Sequence, residues 1–222
     1  MPSERRSCRR LLLPLLLAIA GFAAFAIDVP VATSFRQWNS PRHQTVTDYL
    51  GYLNTFEPFG HGLGVVFVLF VLHQLARNRR WALPRVLACA LAAGGAADLL
   101  KMLVIRTRPY NLAVDFHGTV WATFGQWFPL LGGESGTQSF PSAHTATACG
   151  LAAALIWLYP NGRLLFTSLA VLVGCQRVVA CAHYPSDVLF GAATGCLVAV
   201  LLLHVGRLPP LFDRWESPWR KK

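Results

Sequence analysis

The sequence predicts an all-α polytopic membrane protein, a bundle of six transmembrane helices with its reactive residues at the extracytoplasmic helix ends. Three observations carry that prediction. Only 14% of the 222 residues are charged and 54% are hydrophobic, with a mean hydropathy of +0.43, whereas soluble domains carry about 25% charged residues. The apolar residues come in long runs rather than alternating, and a helix needs about 20 of them to cross a bilayer. The basic residues fall mainly in short stretches between and beyond those runs.

In chain order the candidate spans are 11–27, 59–76, 84–104, 142–159, 164–181 and 187–205. The first has a basic start and a short apolar run ending in Ala24-Phe25-Ala26, the pattern of a cleavable signal peptide. Kept as a helix, it gives an even count of spans with both termini on one side. Arg5, Arg6, Arg9 and Arg10 precede it, Arg77, Arg79, Arg80 and Arg85 lie between the second and third spans or at the very start of the third, and Arg163 lies between the fourth and fifth. The tail holds Arg214, Arg220, Lys221 and Lys222. Basic loops stay in the cytoplasm, so both termini are expected inside a cell (inner) membrane. The outer side then holds loops 28–58 and 105–141 and a short connection at 182–186.

That distribution also accounts for the net charge of +10 without nucleic-acid binding. Within the outer loops, Phe116, Val120, Phe124, Trp127 and Leu131 recur at helical spacing, as do Val46, Tyr49, Leu50, Leu53 and Phe56. Both sets fit either interfacial helices or loops packed on the bundle. The six cysteines lack metal-ligand spacing and read as packing residues. Gly191 and Gly195, four apart in the sixth span, mark a close helix contact, more often inside a bundle than between subunits. With no repeat or linker, residues 1–222 read as one domain, with no obligate protein partner evident.

Ionisable residues at the edge of a membrane are functional by default, because desolvating them is costly. Here they share one end. Asp98, Lys101, Arg106 and Arg108 lie at and beyond the outer end of the third span, and His144 at the start of the fourth. Arg177 and His183 lie near the end of the fifth, and Asp187 at the start of the sixth. Singly, each has a plain explanation: Lys101 can snorkel or pair with Asp98 three residues back, Arg177 can anchor at the interface, and His144 can start a helix. Together, three cations and two histidines suit a phosphate, whose oxygens need positive charge and whose transfer needs a nucleophile and an acid. Ser142 is suited to cap the fourth helix, so that the amides after it form an anion site. Pro185 is suited to begin a helix, which would set Asp187 near His183 to fix its tautomer.

These residues resemble the three-part signature of the type 2 phosphatidic acid phosphatase superfamily. Lys101, six residues, then Arg108-Pro109 form the first part, and Pro141-Ser142-Ala143-His144 the second. Arg177, five residues, His183, three residues, then Asp187 form the third. Ala143 replaces a glycine, which leaves the backbone amide in place, and Gln176 replaces the serine before Arg177. The resemblance covers about 101–187. It implies that Lys101, Arg108, Arg177, Ser142 and the amide of Ala143 bind the phosphate. It implies further that His183 attacks phosphorus to form phosphohistidine, Asp187 stabilises its ring, and His144 protonates the leaving oxygen. No metal or other cofactor is required in that scheme.

A site at the membrane–water boundary favours a membrane lipid phosphate or diphosphate. The resemblance suggests undecaprenyl diphosphate, phosphatidylglycerol phosphate or phosphatidic acid. Two rival readings remain: a phosphotransferase passing the phosphoryl group to another lipid, and a non-enzymatic lipid-phosphate transporter.

Overall fold

The computed structural model describes residues 2–38, 51–113, 116–128, 130 and 134–220, with side chains from residue 9 onward. Each of the six apolar segments carries a helix: α1 (Pro2–Ala24), α3 (Gly62–Leu75), α4 (Leu83–Lys101), α5 (Ala143–Leu158), α6 (Arg163–Val179) and α7 (Pro185–Leu203). Two more helices, α2 (Asp28–Trp38) and α8 (Leu208–Arg220), lie outside those segments. Three helical segments, Arg77–Lys101, Pro160–Val179 and Pro185–Leu203, are long and apolar enough to cross a bilayer. The number rises to five if two bent pairs each count once: α1 with α2, bent by 73°, and the 3-10 segment Tyr52–Gly60 with α3, bent by 75°.

Helix α5 is apolar but shorter, and it forms the centre of the bundle, packed against α4, α6 and α7. Small residues are buried on several sides of it, among them Ala146, Ala148, Ala152 and Ala154. Small residues let helix backbones approach closely where lipid gives apolar side chains little reason to associate. An alanine-sized side chain at Gly191 or Gly195 of α7 would run into the carbonyls of Ser142 and Ala146 on α5. The glycine pair therefore serves a contact within the bundle. At the opposite end of α5, Leu151, Leu155 and Leu158 pack with Val86, Ala90 and Leu202.

The helical spacing seen over residues 116–131 does not produce a helix in the described part of that loop. Val120–Thr123 is a short 3-10 turn leading into β2 (Phe124–Trp127), which pairs antiparallel with β1 (Val104–Arg106). The pairing supplies acceptors and donors to a backbone leaving α4, and Phe124 stacks near Phe140 and Trp127 instead of along one helix face. Loop packing is thus the correct alternative for this segment, and Leu131 lies outside the described residues. In the other set Leu53 and Phe56 fall in the segment Tyr52–Gly60, while Val46, Tyr49 and Leu50 lie outside the described residues.

At the far end of the bundle, Arg85 is more than a topology signal. It is buried, donates to Glu216 at 2.8 Å and Asp213 at 2.9 Å, and lies against Trp157 and Phe212. Arg220 holds the same two carboxylates and covers Trp81. These ion pairs tie α8 to the start of α4, leaving Leu208, Leu211, Trp215 and Trp219 exposed. Spacings of three and four put them along one side of the helix, the pattern of a helix lying in an interface.

Candidate active site

Ser142 is the N-cap of α5, and its hydroxyl oxygen accepts from the Thr145 amide at 3.4 Å and the Thr145 hydroxyl at 3.0 Å. The Ser142 amide donates to the Asp187 carbonyl at 3.0 Å, which ties the start of α5 to the start of α7. The next amides, of Ala143 and His144, belong to the first helical turn and have no intrahelical acceptor. They form the positive end of the helix.

His183 follows α6 and is buried. Its Nδ1 lies 2.7 Å from the Ser139 carbonyl and 3.7 Å from Asp187 Oδ2. A carbonyl can only accept, so Nδ1 carries the proton and Nε2 keeps its lone pair. The sequence expectation of Asp187 near His183 therefore holds, but the close partner that sets the tautomer is a backbone oxygen. Ser139 is brought there by its amide donating to the Arg106 carbonyl at 3.0 Å, an extension of the β1 pairing. Burial lowers the His183 pKa below the ordinary imidazole value; Asp187 opposes this, while the positive charges of Arg108 and Lys101 add to it.

Asp187 is held by four groups. It accepts from Arg106 Nη1 and the Ser139 hydroxyl, both at 2.5 Å, and from the Tyr184 amide at 3.0 Å. The fourth is the electrostatic contact with His183. Arg106 in turn donates to Asp28 at 2.6 Å, Ser186 at 2.8 Å and Thr123 at 3.1 Å, and its guanidinium lies 4.0 Å from the Tyr184 ring centre. Asp28 also accepts from the Ser186 amide at 3.0 Å and from its hydroxyl. All of Asp28, Arg106, Ser186 and Asp187 are fully buried. Arg106 and Asp28 were not assigned roles from sequence. The available signal was an acid directly after an apolar run, at the depth where the cations cluster.

The three predicted phosphate-binding cations divide into two paired and one largely open. Lys101 donates to Asp98 at 3.0 Å, the pairing anticipated from their spacing, with side-chain exposures of 12% and 65%. Arg177 donates through Nη1 to Glu57 at 3.0 Å, and Glu57 stands 3.6 Å from His144 Nε2. Arg108 lies 5.9 Å from the Tyr110 ring centre, and its Nε, like that of Arg177, is buried without a hydrogen-bond partner among the described residues. His144 is within electrostatic reach of Arg177, His183, His61 and Lys101, Arg108 is within reach of Arg177 and His183, and Asp187 stands beside His183, so one site gathers these predicted ionisable residues. Buried guanidinium donors left open in this way call for an acceptor, and an oxyanion supplies several.

Glu57 was not found from sequence, because it comes from a loop distant from the signature. Gln176 explains its placement. The Gln176 side chain donates to Asn54 at 2.8 Å, fastening the segment Tyr52–Gly60 to α6. That segment also presses Gly60 against the His144 carbonyl, where a Cβ would stand at 2.6 Å. The residue that departs from the family signature thus positions the loop carrying Glu57. Among the described residues, no three His, Cys, Asp or Glu side chains form a metal-ligating group.

The chain is similar in sequence and in fold to several known phosphatases. The chain is 37% identical over 129 residues to the lipid A 1-phosphatase of Rhizobium johnstonii, covering 57% of this chain and 49% of that protein. It is 32% identical over 130 residues to the decaprenylphosphoryl-5-phosphoribose phosphatase of Mycobacterium tuberculosis, covering 59% of this chain and 63% of the relative. A lipid A 4'-phosphatase of Bacteroides thetaiotaomicron is 31% identical over 161 residues, covering 69% of this chain and 67% of that protein. The chain spans about half the length of the rhizobial relatives it matches, 49% and 57%. In fold it is similar to Aquifex aeolicus LpxE, with a TM-score of 0.60 at 21% identity over 81% of this chain and 96% of that one. It is also similar to a transmembrane PAP2-type phosphatidylglycerolphosphate phosphatase from Bacillus subtilis, with a TM-score of 0.58 at 20% identity over 88% and 93%. The PAP2 superfamily profile matches residues 82–208, the segment that carries Lys101, Arg108, Ser142, His144, Arg177, His183 and Asp187, and the chain belongs to that superfamily.

Proposed function

We propose that this protein is a membrane phosphatase that hydrolyses a lipid phosphate or diphosphate through a phosphohistidine on His183. The observation that carries the reading is the 2.7 Å contact from His183 Nδ1 to the Ser139 carbonyl. It leaves Nε2 unprotonated, with Arg108 and Lys101 within electrostatic reach of the ring. A protein that only bound phosphate would have no use for a prepared nucleophile.

In the proposed reaction, Lys101, Arg108 and Arg177 hold the phosphoryl oxygens, with the amides of Ala143 and His144 and the Ser142 hydroxyl completing the cradle. Asp98 and Glu57, on partly exposed side chains, give up Lys101 and Arg177 to the arriving phosphate. His183 Nε2 attacks phosphorus as the bond to the lipid oxygen breaks, and His144 delivers a proton to that oxygen. His144 then takes a proton from water. The resulting hydroxide attacks the phosphohistidine, breaks the P–N bond and releases inorganic phosphate with His183 restored. Fixed cations stabilise the transferring group where its charge is greatest. Asp187 holds the ring and offsets the positive charge it gains.

The site faces the cell exterior or periplasm in the proposed topology, with six spans and both termini in the cytoplasm. The relatives' names add lipid A and decaprenylphosphoryl phosphoribose to the substrates suggested by the signature. The test is phosphate release by the purified protein from lipid A, phosphatidylglycerol phosphate, phosphatidic acid and undecaprenyl diphosphate. His183→Ala should fold and lose release by at least about 1,000-fold, as expected for removal of a nucleophile. Release at the wild-type rate by that variant would refute the mechanism. Activity should persist in EDTA and be inhibited by orthovanadate.

A further inference from the structure

The segment Tyr52–Gly60 and the residue after it stand against the candidate site, and the reaction above uses only Glu57 from this stretch. In a 3-10 helix, residues three apart lie one above another. Phe56 and Phe59 form one such row and pack on Ala148, Ala170 and Val173 of α5 and α6. Asn54, Glu57 and Gly60 form another, which meets Gln176, Arg177 and the His144 carbonyl. The chain then bends by 75° into α3, whose N-cap is His61. The whole stretch precedes residues 82–208, which match the family profile.

Two of its side chains stand beside His144. Glu57 Oε1 is 3.6 Å from His144 Nε2, and the His61 ring centre is 5.8 Å from that of His144. The charged groups that act most on His183 are different ones, Asp187, Arg108 and Lys101. In-line transfer puts the nucleophile and the leaving oxygen on opposite sides of phosphorus. His144 reaches the leaving oxygen in the proposed reaction, so Glu57 and His61 border the leaving group.

Their hydrogen-bonding capacity says what that group is. His61 Nδ1 accepts from the Leu63 amide at 3.3 Å, so the ring proton is on Nε2, a donor on an exposed side chain. Glu57 accepts from Arg177 through Oε1, and once phosphate takes Arg177 the carboxylate is open as an acceptor. A donor beside an acceptor matches a hydroxyl, which uses both. The inner phosphate of a diphosphate would instead meet the carboxylate as a like charge.

We propose that Glu57 and His61 form a subsite for a hydroxyl on the leaving group, so that the enzyme selects phosphate monoesters of a polyol over diphosphates. The inference rests on the phosphatase reading above and names its substrate class. Both residues determine specificity and neither touches phosphorus. Glycerol and a sugar are the two sources of such a hydroxyl.

The test measures phosphate release in detergent from five compounds with one alkyl chain. They are dodecyl phosphate, its analogue with a hydroxyl on the second carbon, dodecylglycerol phosphate, phosphorylated dodecyl glucoside and dodecyl diphosphate. Wild-type kcat/KM should be at least about tenfold higher for the hydroxylated analogue than for dodecyl phosphate, because a site built to bond a hydroxyl discriminates against its absence. The faster of the glycerol and sugar compounds identifies the source. His61→Asn keeps an N-cap acceptor but withdraws the ring donor, and should bring the hydroxyl preference to within about twofold. Glu57→Gln should raise release from dodecyl diphosphate relative to dodecyl phosphate by at least about fivefold, because it removes the like charge. Ratios between substrates on one sample cancel any partial loss of folded enzyme, and if His61→Asn does not fold, the Glu57→Gln ratio decides. A wild type indifferent to the hydroxyl, or a folded variant that keeps its wild-type ratio, overturns the proposal and leaves the phosphatase reading standing. If neither these compounds nor the lipid phosphates above yield phosphate, the phosphatase reading itself fails.

Discussion

Removing Arg106 would leave Asp28 and Asp187 facing each other in a pocket that excludes water, since each is fully buried and bonded to a different Arg106 nitrogen. Breaking a buried pair by deleting one partner costs about 3–5 kcal/mol. Arg106→Met should therefore show a large drop in thermal midpoint in detergent, and Arg106→Lys should not rescue it, because an ammonium cannot reproduce the three-way fork. Glu57→Gln should have the opposite character: an intact fold and a few-fold tighter inhibition by phosphate and orthovanadate, the scale of a partly exposed ion pair. Unchanged inhibition constants would show that Glu57 does not compete for Arg177. The lowered pKa of His183 favours its neutral, nucleophilic form, so kcat/KM should hold up as pH falls below the ordinary imidazole value of about 6.5. Lys101→Met removes one lowering charge and should move the acid limb upward. Residue types and order were enough to select Lys101, Arg108, Ser142, His144, Arg177, His183 and Asp187 as candidates, and the fold gathers them at one end of the bundle. Asp28, Glu57 and Ser139 were not readable, because their partners lie far along the chain and Ser139 acts through its backbone oxygen.

Helix α7 sets the depth of the site. Gly191 lies against the Ser142 carbonyl, so the start of α5 and the start of α7 are fixed to each other at the N-cap. Gly191→Leu would force them apart, and a displacement near 1 Å in such a site costs about 100-fold in rate. Gly95→Ala in α4 is the matched control: a Cβ there meets nothing within 4 Å, and it should leave activity unchanged. The helices were legible because apolar runs are long and local. Strands β1 and β2 were not: each is too short to show alternation, and their pairing joins residues 104–106 to 124–127. Helix α8 was hidden by Pro209, Pro210 and Pro218, which read as helix breakers although two sit in its first turn, where proline is tolerated.

For the whole molecule, the proposed sidedness predicts that green fluorescent protein fused after Lys222 will fluoresce, as it does when its fold forms in the cytoplasm, while phosphate is released on the opposite face. A dark fusion with retained phosphatase activity would reverse the topology. The buried knot around Arg106 also bears on how the protein is made. Its three charged members stand at positions 28, 106 and 187, so the chain leaves the ribosome with Arg106 and Asp28 already present and Asp187 still to come. At about 5–20 residues per second, the last member arrives several seconds after the second. Until it does, the serine, histidine and arginine segments have no common anchor. A nascent chain that ends before α7 therefore lacks the ion pair that joins β1 to that helix, and the proposed phosphatase activity requires synthesis to have passed the start of α7.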